Sequence, residues 1–103
     1  SHLIYTIHYK NAGPEQAASA VITTPLSAKI LYQEGSAQGV DTSITFSIDG
    51  GRTFHPPALL FITDASGRQF PAQPKDYSHI RWTFENPLAP GAKGMVSYRA
   101  ILK

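Results

Sequence analysis

The sequence predicts an all-β chain folded as an antiparallel β-sandwich of about seven to nine strands. Three observations carry that expectation. Apolar and polar residues alternate with period two along most of the chain, turn residues return about every ten positions, and no window carries the stripe of an amphipathic helix. At 103 residues the chain, 1–103, has the length of a single domain, enough to bury roughly two-thirds of its unfolded surface around one core.

The elements follow in order. Leu3, Tyr5, Ile7 and Tyr9 interleave with Ile4, Thr6, His8 and Lys10, so a first strand turns its odd positions inward. Asn11-Ala12-Gly13-Pro14 bends the chain because these residues suit turn geometry. Ala17 to Thr24 reads as a second strand whose small residues leave its inward parity open, and Pro25 ends it or marks an edge. Lys29 to Gln33 is a short third strand, and Glu34 to Asp41, with Gly35 and Gly39, is a loop. Ile44, Phe46 and Ile48 point inward against Thr45 and Ser47. Asp49-Gly50-Gly51 and the return arm Arg52-Thr53-Phe54 then predict a β-hairpin with glycines where positive φ is needed. His55-Pro56-Pro57 stops that arm, since proline cannot donate to a ladder.

Ala58 to Thr63 and Arg68 to Phe70 flank Asp64-Ala65-Ser66-Gly67, a second hairpin of the same chemistry. Pro71 to Asp76 reads as a surface loop. Ile80, Trp82 and Phe84 alternate with Arg81, Thr83 and Glu85 in the most amphipathic strand of the chain. After the connector Pro87 to Gly91, the last strand sets Val96, Tyr98, Ala100 and Leu102 inward against Ser97, Arg99 and Ile101.

Composition narrows the function classes. Only 16% of residues are charged while 42% are hydrophobic, which excludes disorder. Lys and Arg are scattered along the chain, so no nucleic-acid partner is expected. Cysteine is absent, which removes disulfides, thiolate chemistry and Cys-based zinc sites. The longest apolar stretch, Ala58 to Ile62, is too short to cross a bilayer, so no membrane insertion of this segment is expected.

Candidate sites are few. A calcium loop needs about six to eight oxygen ligands, and Asp49 is the only acid within seven positions of itself. A phosphate cradle needs glycines opening a helix, whereas Gly51 is followed by Arg52-Thr53-Phe54 and then prolines. Asp49 to Gly51 is therefore read as a turn. The four histidines at 2, 8, 55 and 79 lack the spacing of a zinc site on one element. No nucleophile, paired carboxylates or metal-ligand set stands out, so neither enzyme activity nor a cofactor is expected. Outward His8, Lys10, Arg81 and Arg99 are read as a solvated face that discourages edge pairing. Trp82 is assigned to the core. The rival assignment makes it a stacking platform for a sugar ring, with Tyr77, the freest aromatic, beside Arg81 or Arg68. Tyr77, Trp82 and Arg81 are thus the candidate ligand contacts, and the loops Glu34 to Asp41 and Pro71 to His79 are the segments best placed for recognition.

The pattern also resembles a known family. Tyr5-Thr6-Ile7 with Asn11, Gly13 and Pro14, then Pro25-Leu26, Tyr32 and Gly35-Ser36-Ala37, then Ile80-Arg81-Trp82 and Leu88-Ala89-Pro90-Gly91 before a closing alternating strand is similar to the bacterial repeat module catalogued as domain of unknown function number eleven. Thr24 and Ser27 depart from that pattern, where aspartate and proline are usual. The resemblance implies an immunoglobulin-like fold and a non-catalytic module, a rigid spacer or adhesive repeat, cut from a longer secreted or surface protein. It implies an extracellular, cell-surface or periplasmic location, with neighbouring repeats of the same polypeptide, an extracellular protein or a glycan as partners.

Overall fold

The computed structural model describes residues 1–103. It has nine strands: β1 (His2–Lys10), β2 (Val21–Pro25), β3 (Ile30–Tyr32), β4 (Gln38–Gly39), β5 (Thr42–Ser47), β6 (Phe61–Thr63), β7 (Gln69–Pro71), β8 (His79–Phe84) and β9 (Lys93–Leu102). All pairings are antiparallel. There is no α-helix, only two 3-10 turns at Pro57–Leu59 and Pro74–Asp76.

A four-stranded sheet has β9 at its centre, with β1 along one edge and β3 then β4 along the other. A three-stranded sheet has the order β2-β8-β5, and β6-β7 forms a separate hairpin. The most amphipathic strands in the sequence are the central ones, as burial on one face requires. In β8, Ile80, Trp82 and Phe84 are buried while His79, Arg81 and Thr83 are only partly covered. In β9, Val96, Tyr98 and Ala100 are buried.

Both sheets contribute to one core. Tyr32, Val96, Tyr98 and Ala100 come from the larger sheet, and Phe46, Ile80 and Trp82 from the smaller. Aromatic rings bridge the two. Tyr32 lies 5.1 Å from Phe46, Tyr9 meets Phe84 edge-on at 4.8 Å, and Trp82 lies 6.2 Å from Tyr98. Such offset and edge-on pairs add roughly 0.5–1.5 kcal/mol each beyond their burial.

Several elements differ from the sequence reading, each for a local reason. The second strand starts at Val21, not Ala17, which makes only an isolated bridge to Leu88. Ser19 takes a left-handed φ of 56°, and the run of small residues offers little side chain to pack. Ala58 to Leu60 is not strand, because Pro56 and Pro57 set up a 3-10 turn in which Leu59 and Leu60 donate back to their carbonyls at 2.9 and 3.2 Å. Leu102, expected inward, is exposed at the end of the ladder. Within the loop after Tyr32, Gln38 and Gly39 pair with β9 as β4. Ser36 bridges the gap between β3 and β4 by accepting from the Arg99 N–H at 2.9 Å.

Gly39 is closely packed, with three side chains against it. A Cβ there would fall 2.7 Å from Thr42 Oγ1, 2.9 Å from Val96 and 3.0 Å from the Trp82 ring. Gly39→Ala is expected to destabilise the fold by about 1–3 kcal/mol through overpacking, read as a lower urea midpoint with an unchanged slope.

Candidate functional site

The acidic turns come first, because they hold the carboxylates on which any chemistry would depend. Gly50 and Gly51 adopt φ of 78° and 91°, so Asp49-Gly50-Gly51 is a turn. The predicted return arm does not form a strand. The Asp49 carboxylate accepts the N–H groups of Arg52 and Thr53 at 3.0 Å each, the Thr53 hydroxyl at 2.6 Å and the Ser47 hydroxyl at 2.7 Å. The chain therefore winds around Asp49 and rejoins β5 only at the Phe46–His55 bridge. This wrap and Ser78 cover Ser47, which is fully buried although its parity in β5 pointed to solvent. Hydrogen bonds, that from Ser47 foremost, hold the Asp49 carboxyl far below the usual carboxylate range.

Asp64 and Asp76 are committed in the same way. Asp64 accepts from the Ser66 hydroxyl at 2.7 Å and from the N–H groups of Ser66 and Arg68 at 2.9 Å each, which lowers its pKa, with the Ser66 hydroxyl as the main cause. Asp76 accepts the Gln73 N–H at 2.9 Å in a reciprocal cap of the second 3-10 turn. No three histidine or acidic side chains gather at one point, so Asp49, Asp64 and Asp76 do not converge.

The three candidate ligand contacts are not brought together. Trp82 has no exposed surface, and its indole N–H donates to the Gln38 carbonyl at 3.1 Å. Its ring is thus sealed under β4, and no face remains for a sugar. Arg81, its neighbour in β8, points to the opposite side of the sheet. There it donates to Thr23 Oγ1 at 2.9 Å, with its guanidinium 3.8 Å above the Phe54 ring. Tyr77 is not a free aromatic either. It is 7% exposed and stacks on Phe46 at 4.4 Å, because the 3-10 turn before it swings the side chain onto the core.

What the structure does form is a small slot beside Tyr77. It encloses about 190 Å³ and is lined by Tyr32, Glu34, Gly35, Ala37, Ile44, Phe46, Pro57 and Tyr77. The Tyr32 hydroxyl accepts the Ala37 N–H at 3.1 Å, which fixes the mouth of the loop after β3. Burial, and then Glu34, push the Tyr77 phenol above its ordinary pKa. An apolar floor of aromatic rings, one protonated phenol and one rim carboxylate suit an apolar group carrying a polar or cationic end. Glu34 opens the loop Glu34 to Asp41 that the sequence marks for recognition, whereas Tyr32 and Phe46 read only as core positions, and no sequence signal pairs them with Tyr77. No family model matches the chain, and no curated protein or solved structure matches it.

Proposed function

We propose that the chain is an immunoglobulin-like β-sandwich module that acts by presenting loops for recognition, without catalysis, in a bacterial secreted or cell-surface protein. The observation that carries this reading is that two loops, Glu34 to Asp41 and Pro71 to His79, contribute to one aromatic slot whose floor, Tyr32 and Phe46, belongs to the core. Recognition loops on a rigid scaffold are a common use of such folds. The carboxylates of Asp49, Asp64 and Asp76 support the same reading, since they accept from turn N–H and hydroxyl groups.

The test is a binding screen of the immobilised module against extracellular matrix proteins and glycans. A partner is expected whose affinity falls on Glu34→Lys at the slot rim and holds on Glu15→Lys, the same charge change elsewhere. Partners indifferent to both substitutions would contradict the reading.

A further inference from the structure

The outer face of the larger sheet carries a charge pattern unrelated to the slot. Along the β1–β9 ladder, Lys10 faces Lys93, His8 faces Met95, Thr6 faces Ser97, Ile4 faces Arg99 and His2 faces Ile101. These side chains point outward, while Tyr5, Ile7, Val96 and Tyr98 turn to the core. Neither strand contains an acidic residue, and the sole ion pair of the molecule joins Arg68 to Asp64. Lys10, Lys93 and Arg99 therefore have no carboxylate partner. Lys10 and Lys93 occupy directly facing positions, where like charges destabilise a ladder. Six rungs separate that pair from Arg99, about 20 Å at strand spacing. Arg81 does not join this face, since it sits on the other sheet, bonded to Thr23 and stacked on Phe54.

We propose that this ribbon binds an anionic polysaccharide bearing sulfate or phosphate groups, laid along β1 and β9. Lys10 and Lys93 take one anionic group, Arg99 takes another, and the Thr6 and Ser97 hydroxyls meet sugar hydroxyls between them. A single-stranded nucleic acid fits less well, because such strands bind by stacking bases on exposed aromatics. The one aromatic beside the lysines, Tyr9, packs its ring on Phe84 at 4.8 Å. This inference rests on the reading of the chain as an interaction module, and it uses a surface that shares no residue with the slot.

The experiment measures binding of the intact module to dextran sulfate, to uncharged dextran and to an oligodeoxynucleotide of equal charge, over a range of salt. Tight, salt-sensitive binding to dextran sulfate alone is expected. Lys10→Glu and Lys93→Glu should each weaken it by about tenfold, as losing a charge-assisted bond implies. Lys29→Glu, the same charge change on the exposed segment before β3, should leave it nearly unaltered. Lys10→Glu should also raise the melting temperature of the free module by relieving the like-charge pair. No binding to dextran sulfate, equal weakening by Lys29→Glu, tighter binding to the oligonucleotide, or a lowered melting temperature for Lys10→Glu would each overturn the proposal. The Glu34 screen uses none of these residues, so its outcome is independent.

Discussion

Trp82→Ala is expected to cost about 3–5 kcal/mol, a large part of the roughly 5–15 kcal/mol that a domain of this size has to lose. Trp82 is fully buried at the centre of β8, between β2 and β5, and its ring packs toward Tyr98 and lies where a Cβ on Gly39 would meet it. Alanine there leaves a cavity where the two sheets meet, and few neighbours can collapse into it because they are held by ladders on both sides. Trp82→Phe should cost less, but it strips the Gln38 carbonyl of its donor. Urea unfolding followed by circular dichroism checks both. A loss under about 1 kcal/mol for Trp82→Ala would be that of a surface residue, and it would remove the indole from the core.

Ser47→Ala is expected to cost about 1–3 kcal/mol, because it leaves donors unpaired in a covered site. The fully buried Ser47 hydroxyl accepts the Gly51 N–H at 2.9 Å and donates to Asp49 at 2.7 Å. The whole wrap from Ile48 to Thr53 is organised around this one oxygen and the Asp49 carboxylate. The effect has a pH signature with a definite sign. The folded pKa of Asp49 lies below its ordinary value of 3.8, so the carboxylate favours folding above that value, and its contribution is lost as pH falls through the depressed folded value. Asp49→Asn should therefore flatten the acid limb of the stability profile. Ser47→Ala should move that limb toward ordinary carboxylate pH, since Ser47 is the main cause of the shift. An acid limb identical in all three proteins would contradict this account of the turn.

The strong alternation was legible in the sequence wherever a strand is long and its large residues share one parity. β1, β8 and β9 hold the inward residues expected of them, Leu102 excepted; β8 and β9 are the central strands of the two sheets, and β1 pairs along the length of β9. Legibility failed where hydrogen bonding overrode pattern. Ser47 reads as an outward position, yet it is buried because the following loop folds back onto it. Arg52 to Phe54 reads as a hairpin arm, yet Asp49 gathers its N–H groups. Of the candidate ligand contacts, Trp82 fell in the core as first assigned. Tyr77 could not be placed from sequence, because its burial depends on a 3-10 turn and on Phe46, a residue 31 positions away in sequence that stacks on it. The acid-free ribbon of β1 and β9 lies between the two ends of the chain, so Lys93 joins Lys10 only once the strand register is known.

The central claim is that two antiparallel sheets close over one aromatic core with Trp82 at its centre. The chain has a single tryptophan, so steady-state emission with iodide quenching reports on that position alone. The account predicts a blue-shifted native emission that iodide barely quenches, turning red and quenchable in one cooperative step as urea unfolds the chain. A red, readily quenched indole in the folded protein would contradict it.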